Sequence, residues 1–76
     1  MRDNTEVEKI KETYLPGMRI RLLKMDDVQA PPVGTVGTVR GVDDIGSILV
    51  AWDNGSGLNV IPGEDEVSIL SGGGRE

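Results

Sequence analysis

Few side chains in this 76-residue chain are suited to chemistry. Histidine and cysteine are both absent. Their absence removes the usual zinc ligands, the common general base, thiol nucleophiles and every histidine triad, and leaves carboxylates, lysines, one tyrosine and hydroxyls. Two aspartate doublets, Asp26-Asp27 and Asp43-Asp44, come nearest to a catalytic carboxylate pair. Neighbours in an extended chain point to opposite faces, so a carboxylate hydrolase built on either doublet is a distant reading. Asp26 and Asp27 also hint at Ca²⁺ or Mg²⁺, yet no alternating run of oxygen ligands with a closing glutamate follows them. Gly34, Gly37 and Gly41 look like a phosphate loop but lack its lysine and its following helix. The expectation is therefore no enzyme, no catalytic residue, no metal and no cofactor.

Binding is the chemistry that remains. Arg19, Arg21 and Arg40 are candidate anion contacts, although the plainer reading of Arg19 and Arg21 is a solvated sheet face paired with nearby carboxylates. Trp52 is either an aromatic anchor for a partner or, from its phase with Ile48 and Val50, a core residue, and the core reading is preferred. Asp53 and Asn54 either touch a partner or simply make a turn through side-chain to backbone hydrogen bonds, and the turn is the plainer reading. If the long loop near Asp26 and Asp27 lies beside the hairpin at Trp52-Asp53-Asn54, these residues and Tyr14 form one partner-binding surface.

Charge and composition narrow the partners. The first 25 residues carry six Lys/Arg against four Asp/Glu, and the remaining residues two against nine, for a net charge of −5. Phosphate-backbone binding needs a basic face, so nucleic acid is disfavoured as the main ligand. No apolar run approaches the roughly 20 residues needed to cross a bilayer, and the first residues lack a signal peptide's apolar core. With no cysteine the chain suits a reducing compartment, and a soluble cytoplasmic protein is expected. A single domain of this length buries only about 60% of its unfolded surface and is marginally stable.

The elements that position these residues can be read in order. Residues 1–13 are assigned to an N-terminal helix over Asn4 to Thr13, with Val7, Ile10 and Tyr14 on one thin apolar stripe. It is expected to act as a lid on the fold or, alternatively, as a dimerising helix. Leu15-Pro16-Gly17 ends it. Met18, Ile20 and Leu22 alternate with Arg19 and Arg21 in a first strand, and a long Pro31-Pro32 loop follows. Val36, Val39 and Val42 are three apart, which implies a bulge at Gly37 or Gly41 in the second strand. Asp43 to Gly46 turns into a third strand that is apolar on both faces and expected to be central. Asn54-Gly55 marks a hairpin into a fourth strand over residues 58–61. One helical turn at residues 62–66 precedes a closing strand at Val67, Ile69 and Leu70, and residues 71–76 read as a flexible tail. Together these describe a mainly β fold: a five-stranded SH3-like barrel over residues 14–70 with a short N-terminal α-helix.

Pro16-Gly17, Arg19-Ile20-Arg21-Leu22, Met25-Asp26-Asp27, Pro31-Pro32, Gly34-Thr35, Gly37-Thr38-Val39, Val42-Asp43-Asp44-Ile45-Gly46 and Trp52-Asp53-Asn54-Gly55-Ser56 resemble a family of small SH3-like domains of unknown function. That family occurs in Gram-positive bacteria, their phages and mobile elements. The resemblance spans about Tyr14 to Leu70 and implies a fold and a genomic setting, but no activity or catalytic residue. Three functions fit. The preferred one is a small non-enzymatic binding module from a phage or mobile element that acts through protein contacts. The second is an anti-defence protein that sequesters a host signalling nucleotide or blocks a host immune protein, with Arg19, Arg21 and Arg40 gathered at an oligomer interface. The third is an RNA- or DNA-associated domain, because Gly37-Thr38-Val39-Arg40-Gly41-Val42 faintly resembles the short motif of ribosomal and transcription-factor barrels.

Overall fold

Alternating apolar residues build an antiparallel sheet with one face on the core. The computed structural model describes residues 4–71. It contains α1 (Asn4–Thr13), β1 (Arg19–Lys24), β2 (Val36–Val42), β3 (Ile48–Trp52) and β4 (Glu66–Ser71). The strands lie in the order β3-β2-β1-β4, every neighbouring pair antiparallel. Met18, Ile20, Leu22, Val39, Ile48, Val50, Trp52 and Val60 form one buried cluster, with Ile10, Tyr14, Met25, Val42 and Val67 packed against it. Full burial of a Val, Leu or Ile side chain contributes about 1.5–3 kcal/mol, so this cluster dominates the stability of so short a chain.

α1 uses its stripe as the 3.6-residue period dictates. Val7 is buried while Ile10 and Tyr14 meet the core, and the helix lies across β2. It ends where the Thr13 hydroxyl donates to the Lys9 carbonyl at 2.8 Å. Pro16 and Gly17, the latter at φ 92°, then reverse the chain, with the Met18 amide donating to the Leu15 carbonyl. In β1 the expected alternation holds: Met18, Ile20 and Leu22 point inward, and Arg19 and Arg21 lie on the other face. In β2 the three-residue valine spacing is absorbed by a register shift between Val39 and Gly41.

Gly37 has a different role from the bulge considered for it. It pairs with Trp52, and a Cβ there would stand 2.7 Å from Trp52 Cε3 and 2.7 Å from Val50 Cγ1. Only a glycine lets the indole lie this close to the strand.

Four expectations are corrected. β3 is an end strand of the sheet rather than a central one: Leu49 is only half-buried and Ala51 exposed, so its second face is not a core face. The strand expected over residues 58–61 is a single bridge, Ile48 with Val60, so the described sheet has four strands and is unclosed. Ser71 belongs to β4, opposite Arg19, and not to the tail. The rest of the proposed tail, 72–76, and residues 1–3 of the proposed helical segment lie outside the described residues. The turn before β4 is present but is not the helical one expected: the Glu64 and Asp65 amides both donate to the Ile61 carbonyl, and Gly63 takes φ 96°.

Gly37→Ala should destabilise the fold by about 1–3 kcal/mol through overpacking and shift the emission of the sole tryptophan. Gly55→Ala tests conformational strain alone. Gly55 sits at φ 94° with open space around its Cβ position, so the change should cost about 1–2 kcal/mol and leave the emission unchanged. Thermal unfolding followed by fluorescence separates the two, because each kcal/mol moves the midpoint of such a domain by roughly 4–8 °C.

Candidate functional site

The outward face of the sheet is where charge is organised. Arg19 stands beside Thr38 across the β1–β2 ladder, and Thr38 is paired in turn with Ala51 of β3. Arg19 therefore reaches over β2 to the turn after β3. Its Nη1 donates to Thr38 Oγ1 at 2.8 Å and to Asp53 Oδ1 at 3.0 Å, and its Nη2 donates to Asp53 Oδ2 at 2.6 Å. This two-pronged pair holds the Asp53 carboxyl below the usual carboxylate range, chiefly through the hydrogen bond, with Coulomb attraction adding to it. The same bond raises Arg19, which stays charged throughout. The pairing expected of the sheet face is thus real for Arg19, and Asp53 acts through its carboxylate rather than as a turn-making side chain.

Arg21 and Arg40 also stand exposed, on β1 and β2, and neither forms an ion pair among the described residues. Arg40 lies at the β2 irregularity and lines a groove of about 530 Å³ beside β3, with Leu49, Ala51, Ser56, Gly57 and Asn59. The ladder beside it lacks a rung. Ile48 exchanges both backbone hydrogen bonds with Val60, and the Trp52 amide donates to the Ser56 carbonyl. Alternation then aims the Val50 amide and carbonyl at the same edge, towards Leu58. Leu58, however, is engaged elsewhere: its carbonyl accepts from Trp52 Nε1 at 2.9 Å, and its amide donates to Ser56 Oγ at 3.4 Å. Among the described residues Val50 has no partner on this edge.

The other predicted residues are dispersed. Trp52 is 3% exposed and belongs to the core, as its phase with Ile48 and Val50 indicated. Asn54 makes the turn, its Oδ1 accepting from the Ser56 amide at 3.0 Å. Gly55 alone there takes positive φ, so the hairpin is a three-residue loop and not the two-residue turn that the Asn-Gly pair suggests. Asp26 and Asp27 are exposed, and Asp27 Oδ1 accepts from the Gln29 amide at 2.7 Å. Tyr14 lines two other cavities, one with Leu23, Val60 and Val67 and one with Lys11, Pro16 and Val42, and neither contains Asp26, Asp27, Asp53 or Asn54.

Of the doublet Asp43-Asp44, Asp43 Oδ1 accepts from the amides of Ile45 and Ser47, while Asp44 faces solvent and stands 4.0 Å from Lys11. The described residues hold no group of three carboxylates placed to bind a metal. No helix among them is long and apolar enough to cross a membrane. The residues that sequence reasoning missed are Leu58, Ser56 and Asn59. The only hint of them was Gly55-Ser56-Gly57, a poor start for a strand.

A family model described as Domain of unknown function (DUF4314) matches residues 3–70. No curated protein and no solved structure matches the chain.

Because the folded-state pKa of Asp53 is depressed, its pairing contributes stability that is fully present above the unfolded value of about 3.9 and is lost as pH falls through the lower folded value. Asp53→Asn should therefore be less stable than the parent at pH 7, and the two urea midpoints should converge below pH 4. The pair is exposed, so the difference at pH 7 should also shrink in 1 M salt. A gap that persists at low pH would assign the role of Asp53 to the turn and not to its charge.

Proposed function

We propose that this chain, which belongs to the DUF4314 family of domains of unknown function, is a small non-enzymatic binding module that acts through protein contacts. The observation that carries this reading is the end strand β3, bridged on its outer side at Val60 and flanked by a groove that Arg40, Leu49 and Ala51 line. Unpaired strand edges are templates for a segment of another chain, with main-chain hydrogen bonds supplying affinity and flanking side chains supplying selectivity.

The same reading takes the curled sheet as an SH3-like barrel whose fourth strand is reduced to the Val60 bridge. In support, Val60 is buried beside β3, the chain runs from it directly into β4, and one cavity is lined jointly by Leu23, Ile48, Val60 and Val67. The cytoplasm of a Gram-positive bacterium carrying a phage or mobile element is the setting that the resemblance suggests for such a module.

Capture of a signalling nucleotide draws less support. It relied on three arginines, and Arg19 is already committed to Asp53, which leaves two. A nucleic-acid role has to contend with a net charge of −5.

Native mass spectrometry of the gently purified protein distinguishes these readings. The expected spectrum shows the chain with no retained small molecule. A stable oligomer carrying a discrete extra mass would replace the protein-contact reading with ligand capture, and the mass would identify the compound class.

A further inference from the structure

We infer that β4 pairs edge to edge with the β4 of a second copy of this chain, at the other end of the sheet from the groove beside β3 and independently of it. β4 ends the sheet, with β1 as its strand neighbour. Backbone alternation decides which of its groups are engaged. The Leu22 amide donates to the Thr35 carbonyl and the Leu22 carbonyl accepts from the Gly34 amide, so Leu22 turns both groups away from β4. Arg21, one residue earlier, therefore turns its groups towards β4, where it stands opposite Ser68. Val67 and Ile69, on either side of Ser68, then aim amide and carbonyl at the outer edge. No backbone hydrogen bond among the described residues meets them there.

The two ends of the sheet differ in this respect. β3 is closed on its outer side by Val60 and Ser56. Exposed strand edges are commonly guarded by a lysine, a proline or an inward-pointing charge. Residues 67–71 contain no proline and no charged residue, and Ile69 and Leu70 are 45% and 43% exposed. The register shift of β4 against β1 falls after Ile69, beyond the outward groups.

A second copy fits because this edge is its own complement. A two-fold axis through Ser68, normal to the sheet, sets Val67 of each copy opposite Ile69 of the other, and each such pair exchanges two main-chain hydrogen bonds. Val67 and Ile69 of the two copies then meet on the core face. On the opposite face Ser68 meets Ser68, and Leu70 meets the stem of the second copy's Glu66. No like charges stand opposite one another. Arg21, exposed and without an ion pair among the described residues, shares that face with the second copy's Glu66, which lies diagonally across from it. Moving the axis to Ile69 would oppose Val67 to Ser71, a residue already opposite Arg19 on β1. A contact confined to one short strand is small, so the dimer is weak, with a Kd between about 10 μM and about 1 mM.

Amide hydrogen exchange of the ¹⁵N-labelled full chain, followed by NMR well below and well above that range, tests the pairing. The Val67 and Ile69 amides should gain protection at the higher concentration, whereas the Ser68 amide, bonded to β1, should be protected at both. Sedimentation equilibrium should show monomer and dimer exchanging over the same range. Ser68→Glu sets two carboxylates at the axis but leaves each beside Arg21 of its own chain. It should weaken the dimer at least about tenfold, a loss of about 1.4 kcal/mol, without lowering the thermal midpoint. A monomer at every concentration would overturn the inference, and so would a dimer whose added protection falls on α1 or β3 instead of on Val67 and Ile69. Undiminished association of folded Ser68→Glu would overturn the two-fold pairing about Ser68.

Discussion

Trp52 lying flat against Gly37 is the constraint on which the rest of the structure depends. The chain contains no phenylalanine and one tryptophan, so no other side chain can fill the centre of this core with comparable apolar area. The indole reaches that position only because the paired residue on β2 has no Cβ to meet it. Once the ring lies there, its Nε1 points past the sheet edge and needs an acceptor, as a buried indole N–H does. The Leu58 carbonyl supplies it. Core packing, strand pairing and the course of the chain after the hairpin therefore follow from one ring and one glycine.

Charge is arranged around this core and does not hold it together. The Arg19–Asp53 pair is short and two-pronged, yet both side chains are exposed, and exposed pairs contribute little net stability. Its effect is one of placement. By spanning β2 from β1 to the turn after β3, it ties that turn to the sheet and withdraws both charges from other partners. What remains on the outward face is the pair Arg21 and Arg40, of which only Arg40 lies beside the groove. In an acidic protein, an exposed guanidinium without an ion pair among the described residues makes this edge electrostatically unlike the rest of the surface.

Much of this fold was legible in the sequence because it is local. The Met18, Ile20, Leu22 alternation, the Pro16-Gly17 stop, the valine spacing that demands a bulge and the Ile48, Val50, Trp52 phase each need only a few neighbouring residues. Illegible were the features made by residues far apart or by a side chain replacing backbone. Arg19 and Asp53 are 34 positions apart, so nothing in their spacing marks them as partners. Leu58 and Val60 alternate as a strand would, and no local pattern shows that an indole six residues earlier takes the Leu58 carbonyl. The same blind spot made β3 look central: two apolar faces suggest neighbours on both sides, whereas its outer neighbour is held at only one bridge.

The broken strand is better understood as an exchange of partners than as a defect. Trp52 Nε1 is buried and would cost about 1–3 kcal/mol without an acceptor, which the Leu58 carbonyl supplies. Val50, itself 3% exposed, has no backbone partner on that side among the described residues, so a strand rung is traded for the indole bond. A domain of this size has little stability to spare, and this exchange keeps the core's one indole hydrogen-bonded. That coupling makes the course of residues 56–60 a property of the packed tryptophan rather than of the hairpin loop.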